Sequence, residues 1–119
     1  MRNFRELKVW EKAHALTLAV YKLTNAFPRS EQYGLTSQLR RCSYSVGSTI
    51  AEGCGRDGQP ELARFMVIAS GSASELEYQL LLARDLGFVQ PRDYQGVSMQ
   101  VEEVKRMLTS FVQKLRADS

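Results

Sequence analysis

Apolar residues recur every three or four positions over most of the chain, which is the spacing of amphipathic helices. A first helix is predicted from about Phe4 to Ala26, and Pro28 ends it because proline cannot continue the helix. A second helix is predicted to begin at Thr36, as its cap, or as early as Ser30. It ends between residues 52 and 56, where glycines suit the left-handed conformation of a C-cap. The apolar stripes of these two helices contain Leu7, Trp10, Ala13, Leu16, Val20, Leu23 and Phe27, then Leu35, Leu39, Cys42, Val46 and Ile50.

Two longer helices are predicted in the second half of the chain. One runs from Pro60, a residue favoured at the first helical position, to Leu86, and Gly87 closes it. The other follows Pro91. Short loops and the lack of any period-two segment indicate an all-α protein, an antiparallel up-down four-helix bundle that forms a single domain over residues 1–119. The heptad rows of these helices are Leu62, Met66, Ala69, Ala73, Leu76, Leu80 and Ala83, then Val97, Val101, Val104, Leu108, Phe111 and Leu115.

Residues 42–51 and 65–74 contain no charged side chain, although a helix on the surface of a small monomer normally has a solvated face. Serine, alanine and glycine dominate there, so that backbones can approach closely. Each helix is therefore predicted to pack on two sides, against its own bundle and against a second subunit. A row of partly buried polar residues is expected at that boundary. The candidate interface residues are Ser45, Gly47, Thr49, Glu52, Ser72, Glu75 and Gln79.

The net charge of +3 is too mild to establish a nucleic-acid partner, but the charges are unevenly distributed. Arg5, Lys8 and Lys12 follow three- and four-residue steps, which places them on one face of the first helix. This face is either simply exposed to solvent, without a binding role, or a surface that contacts phosphate or a partner. Arg56 lies in the turn before the third helix, where the helix N-terminus favours a bound anion. The candidate nucleic-acid contacts are Arg5, Lys8, Lys12, Arg40, Arg41 and Arg56.

Catalytic and metal-binding sets are hard to assemble from this composition. His14 is the only histidine, and the pair Glu11 and His14 has no second copy of the kind that two-metal bundles need. Cys42 and Cys54, twelve residues apart on one helix, lie about 18 Å apart, beyond disulfide reach. They are predicted to be reduced and buried, with an intermolecular bridge as the alternative. No metal, cofactor or catalytic residue is predicted, and no enzymatic activity.

No apolar run is long enough to span a membrane, and the N-terminus lacks a signal-peptide core. The expected location is therefore the cytoplasm, with no membrane partner.

Four segments carry a family resemblance: Phe4-x-x-Leu7-x-Val9-Trp10, Tyr33-Gly34-Leu35-Thr36-Ser37-Gln38-Leu39-Arg40-Arg41, Ile50-Ala51-Glu52-Gly53-Cys54-Gly55-Arg56 and Ser74-Glu75-Leu76-Glu77. In these the chain resembles the bacterial four-helix-bundle proteins that are often encoded within intervening sequences of 23S ribosomal RNA genes. That family includes the accessory variability determinant of diversity-generating retroelements. The resemblance implies an antiparallel bundle assembled as a ring-like homopentamer, without enzymatic activity. It also implies a basic surface, since the retroelement relative binds nucleic acid and its reverse transcriptase through one.

The chain departs from the family pattern before Ile50, where Gly47 replaces a proline and Thr49 replaces an asparagine that could have bridged subunits. Two hypotheses remain. The first is a non-enzymatic oligomer that binds RNA or DNA with little sequence specificity. The second is a scaffold that docks a protein partner and contacts no nucleic acid.

Overall fold

The computed structural model describes residues 1–118, and the all-α prediction is confirmed there, since these residues form four α-helices and two 3-10 turns but no strand. The 3-10 turns span Phe4–Glu6 and Arg29–Glu31. The α-helices are α1 (Lys8–Thr24), α2 (Leu35–Cys54), α3 (Gln59–Asp85) and α4 (Pro91–Ala117).

The helices pack around one shared core. Each helix contacts the next along the chain, and α4 also contacts α1, whereas within residues 1–118 no Cα atoms of α1 and α3, or of α2 and α4, come within 8 Å of each other. The molecule measures 46 × 22 × 20 Å, which fits a 27-residue helix of about 40 Å lying along its long axis. A helical bundle is therefore the architecture.

The heptad row predicted for α3 is buried at every position, from Leu62 to Ala83. In α4 the predicted Phe111 is only half-buried, and the neighbouring Val112 is buried in addition to the rest of the row. In α1, Trp10 is half-buried against the core, with its ring edge-on to Phe4 at a centroid distance of 4.9 Å. The core prediction from the apolar period therefore holds for nearly all of its residues.

The first helix starts later than the sequence predicts. Leu7 has an extended backbone (φ −86°, ψ 125°), so that a 3-10 turn precedes α1 instead of continuing it. Asn3 stabilises this turn, because its side-chain Oδ1 accepts a hydrogen bond from the Arg5 amide at 3.1 Å. The break lets the half-buried Leu7 pack against the core.

Two predicted caps of α2 are wrong. Thr36 is buried inside the helix, and the carboxylate of Glu31 instead accepts the hydrogen bond of the Leu35 amide, at 3.1 Å. At the other end, Gly55 has a right-handed backbone (φ −82°), and the positive φ of this turn lies at Gly58 (φ 89°), just before α3. The reason is that the chain must reverse direction at the start of α3, where only glycine adopts this φ without strain.

The predicted closure of α3 at Gly87 is confirmed. Gly87 has a φ of 80°, its amide donates to the Arg84 carbonyl, and the Phe88 amide donates to the Ala83 carbonyl, both at 3.0 Å. These two bonds form a Schellman motif, which satisfies carbonyls that the helix end leaves free.

Candidate nucleic-acid interface and assembly surface

The six candidate phosphate contacts do not form one surface. Arg5, Lys8 and Arg56 lie at the end of the bundle where the N-terminal turn packs on the end of α2, through the Arg2 amide and the Cys54 carbonyl at 2.9 Å. Arg40 and Arg41 lie near the opposite end, beside the C-terminus of α1. The predicted face of the first helix is also incomplete, because Arg5 lies in the 3-10 turn before α1 and not on the helix with Lys8 and Lys12.

Several of these cations already have partners within the subunit. Lys12 Nζ lies 3.5 Å from Glu103 Oε1 on α4, and Arg56 Nη2 lies 3.1 Å from Glu52 Oε2 while its guanidinium covers the Phe65 ring. Pairs this exposed contribute little to stability, at most about 1 kcal/mol. They do, however, offset the local positive charge that a phosphate would meet.

Arg40 is the most firmly held of the six. Its Nε donates to Thr24 Oγ1 at 2.8 Å, its Nη2 donates to Asn25 Oδ1 at 3.1 Å, and its guanidinium stacks over the Tyr21 ring at 4.7 Å. The half-buried side chain therefore joins the end of α1 to α2. Arg41, the next residue, is exposed and donates only to Gln38 on its own helix.

A second set of cations lies at the other end of the bundle, formed by residues 20–41 and 82–95, which we name the loop end. The Phe27 and Phe88 rings, 5.7 Å apart, join its two loops. Three carboxylates, those of Glu31, Asp85 and Asp93, lie in these ranges. Against them stand six cations: Lys22, Arg29, Arg40, Arg41, Arg84 and Arg92.

Five of the six loop-end cations have no carboxylate within 4.0 Å among residues 1–118, and only Arg40 and Arg41 of these five make side-chain hydrogen bonds. Arg84 pairs with Asp85 at 3.0 Å, whereas among residues 1–118 Lys22, Arg29 and Arg92 have no carboxylate within 4.0 Å. None of these three residues is among the candidates predicted from the sequence. The sequence could have identified them, because antiparallel pairing of the predicted helices brings the first and third loops to the same end of the bundle. The charged residues at each end can then be counted.

The candidate interface residues lie mostly between helices of one subunit. The Ser45 and Ser72 hydroxyls hydrogen-bond to each other at 3.1 Å across α2 and α3, and both residues are half-buried. Gly47 is buried, and a Cβ there would lie 3.5 Å from Trp10 Nε1, so that Gly47 faces α1 and not a second subunit. Thr49 is half-buried.

The charged candidates are more exposed than expected. Glu52 and Glu75 are both exposed in the individual subunit, and Glu52 pairs with Arg56 at 3.1 Å. Gln79 is half-buried, and its Oε1 is buried without a hydrogen-bond partner among residues 1–118.

Glu75 and Gln79 border the buried thiol of Cys42. Burial, and then the negative charge of Glu75, raise the pKa of Cys42 to about 11, and burial also raises the pKa of Cys54. Both cysteines are free and buried, as predicted for the individual subunit. A thiol with so high a pKa stays protonated at neutral pH, so that Cys42 is a poor nucleophile.

The uncharged stretch of α3 does reach the surface. Val67, Ile68 and Tyr78 keep 46, 45 and 60% of their surface exposed. Gly71 is exposed among them, and no heavy atom would lie within 4 Å of a Cβ there. Together with the exposed Ser74 these residues form one side of the helix, which we name the α3 outer surface.

No group of three or more His, Cys, Asp or Glu residues able to hold a metal ion occurs within residues 1–118. His14 is exposed and stacks on the Trp10 ring at 5.0 Å between centroids. Among the described residues, no helix combines the length and the apolar character needed to cross a membrane.

The fold and these surfaces define a class of protein, a small all-α helical bundle. A model of the 23S rRNA-intervening sequence protein family matches residues 5–110, and the chain belongs to this family, as the resemblance in its sequence indicated. No curated protein matches the sequence.

A solved structure has the same fold. It is a Bacteroides thetaiotaomicron protein of unknown function from the S23 ribosomal protein family, with 20% sequence identity and a TM-score of 0.81. The match covers 88% of this chain and 95% of that one.

Proposed function

We propose that the protein is a non-enzymatic homo-oligomer that assembles through the α3 outer surface and binds nucleic acid at the loop end. The observation that carries the proposal is the α3 outer surface itself, an exposed and mainly apolar patch around Gly71, where no heavy atom would lie within 4 Å of an added Cβ. Burying such a surface against a second copy removes apolar area from water, at about 25 cal/mol per Å².

We infer an antiparallel up-down topology for each subunit. Along every pair of neighbouring helices the residue numbers of contacting side chains run in opposite directions. Thr17 bonds to the Ser43 carbonyl and Thr24 to Arg40 between α1 and α2. Between α3 and α4, Glu77 pairs with Lys105 at 2.9 Å. Arg84, which is later in α3, contacts Tyr94, which is earlier in α4.

The assembly that we propose is a closed ring, of the five subunits that the family resemblance implies. A ring of five needs a heterologous contact, in which one surface of each subunit meets a different surface of the next. Exposed, uncharged residues of α2, Tyr44 and Ser48, supply that second surface. The α3 outer surface of one copy would then cover α2 of its neighbour.

Light scattering after size-exclusion chromatography tests the assembly. Gly71→Arg adds a charge where a side chain meets no atom of its own subunit, so the variant should keep its helix content by circular dichroism but elute as a monomer. Met99→Asp is the matched control, because Met99 is 63% exposed on α4, outside this surface, and it should leave the mass unchanged. A monomeric wild-type protein at micromolar concentration would refute the proposal.

Nucleic-acid binding is supported by the excess of unpaired cations at the loop end, because phosphate contacts supply most of the affinity of non-specific binding. A ring repeats this end once per subunit, which adds the fields of several modest charges. Base-specific contacts are not part of the proposal, since no recognition helix or zinc module is present in the described residues.

Fluorescence anisotropy with a labelled RNA and a labelled DNA, over a salt series, tests this part. The double variant Arg29→Gln/Arg41→Gln should weaken binding and lower the salt slope by about 2, roughly 1 for each lost phosphate contact. Arg5→Gln/Lys8→Gln removes the same charge from the opposite end and should change little.

Two results would contradict the loop-end assignment. Equal losses in both double variants would mean that net charge acts without a defined site. Flat traces at low salt would exclude nucleic-acid binding and favour the alternative function, a scaffold for a protein partner.

A further inference from the structure

A groove of about 560 Å³ runs between α1 and α4 near the loop end. Its floor consists of small or apolar side chains, among them Ala19 and Leu23 of α1 and Val97 of α4. The volume falls within the range of small-molecule sites, which are mostly apolar with a few polar groups. It is a different surface from the α3 outer surface.

Gly96 opens the groove. It lies inside α4, and glycine within a helix costs about 0.5–1 kcal/mol relative to alanine. Neither usual reason for a glycine applies, because its φ is not positive and no heavy atom would lie within 4 Å of its Cβ. The packing of the subunit therefore does not require glycine here, whereas any larger side chain would reduce the groove.

Two cations line the groove from opposite walls. Lys22 belongs to α1 and Arg92 to α4, and neither has a carboxylate within 4.0 Å among residues 1–118. The single carboxylate of the lining, Asp93, lies in the first turn of α4, where the helix dipole favours a negative charge. The groove thus combines an apolar floor with an excess of positive charge.

We propose that the α1–α4 groove binds an amphipathic carboxylate, an organic acid with an aliphatic or aromatic body. The body lies on Ala19, Leu23 and Val97, in the space that Gly96 leaves. The carboxylate accepts hydrogen bonds from Lys22 and Arg92, and bonds of this charge-assisted kind are the stronger ones. The site belongs to one subunit, so this inference does not depend on the assembly or on nucleic-acid binding.

Three probes with the same eight-carbon tail test the site on the ¹⁵N-labelled full chain: octanoate, 1-octanol and octyltrimethylammonium. Octanoate should shift the backbone amides of residues 19–26 and 92–100. Octanol should bind at least about tenfold more weakly, because it lacks the charge that Lys22 and Arg92 meet. The cationic probe should not shift these amides.

Variants separate the two parts of the groove. Lys22→Gln and Arg92→Gln should each weaken octanoate binding about tenfold and leave octanol binding unchanged. Gly96→Leu should abolish binding of both. Gln113→Leu, which adds an apolar side chain at an exposed position far along α4, should leave octanoate binding intact.

Three outcomes would overturn the proposal. The first is equal binding of the three probes, and the second is the absence of shifts in residues 19–26 and 92–100 up to millimolar octanoate. The third is a change of oligomer mass in Gly96→Leu together with no octanoate binding by the wild-type protein. That result would mean that a second copy of the chain covers the groove.

Discussion

Gly53 lets α2 and α3 approach closely where α2 ends. A Cβ at this position would lie 2.7 Å from the Phe65 Cβ and 3.4 Å from Leu62 Cδ1, and the first distance is shorter than real Cβ contacts. The neighbouring atom is near the backbone of α3, so it cannot move aside as a side-chain tip can. Glycine is needed here for space, whereas at Gly96 and Gly71 no neighbour requires it.

Gly53→Ala should therefore lower the free energy of unfolding, by about 1–3 kcal/mol, because α2 and α3 must move apart. Gly96→Ala should raise it by about 0.5–1 kcal/mol, because alanine is the better helix former and meets no atom. Urea denaturation followed by circular dichroism measures both. Changes of the same sign would mean that the α2–α3 contact is not as close as described.

Among the helices, α1 and α2 are linked by hydrogen bonds at the loop end through the side chain of Arg40. Its bonds to Thr24 and Asn25 occupy two of its nitrogens, and its stacking on Tyr21 covers one side of the guanidinium. Arg41 is adjacent in sequence but points to solvent. The two arginines look equivalent in the sequence, yet only one joins two helices.

Arg40→Ala should destabilise the protein by about 1–2 kcal/mol through the lost hydrogen bonds. Arg41→Ala, with the same change of charge, should stay within about 0.5 kcal/mol of the wild type. Thermal or urea unfolding of the two variants measures the change in the free energy of unfolding for each. Equal effects would show that Arg40 acts through its charge alone.

The helices themselves are largely predictable from the sequence, but the starts of α1 and α2 are not. Pro60, Pro91 and Gly87 mark ends that local chemistry determines, and the structure has them where the sequence predicts them. The break at Leu7 and the cap by Glu31 depend on residues outside the periodic segment. A 3-10 turn adds no apolar period of its own, so the spacing of apolar residues does not distinguish this turn from the helix that follows it.

For the whole molecule, the sequence predicted the bundle more completely than its surfaces. The sequence predicts that Arg5, Lys8 and Lys12 share a helix face, but Arg5 lies in the 3-10 turn before α1. The fold also separates these residues from Arg40 and Arg41 by much of the length of α1. Ser45 and Ser72 were assigned to an interface between subunits because both belong to uncharged stretches, and the structure pairs them with each other. Residue type does not reveal which of two packing partners a polar side chain faces.

Assembly and nucleic-acid binding should be coupled in this molecule. If several loop ends bind one strand, the affinity of the ring exceeds that of one subunit by about 100-fold or more. Gly71→Arg should therefore lose most of its affinity for long RNA, although it gains a positive charge. A short oligonucleotide that reaches one subunit only should bind the wild type and Gly71→Arg alike. Equal affinity of the two proteins for long RNA would mean that nucleic-acid binding does not depend on assembly.

The groove between α1 and α4 has a further consequence for motion in the subunit. α2 and α3 are held together by the close approach at Gly53, while α1 and α4 are separated at Gly96 and joined at mid-length by an exposed pair, Lys12 and Glu103. Local opening of a protein begins where few buried contacts must be broken. Amide hydrogen exchange should thus be faster at the loop-end halves of α1 and α4 than along α2 and α3. In this motion α1 and α4 would separate at the loop end while α2 and α3 stay packed together.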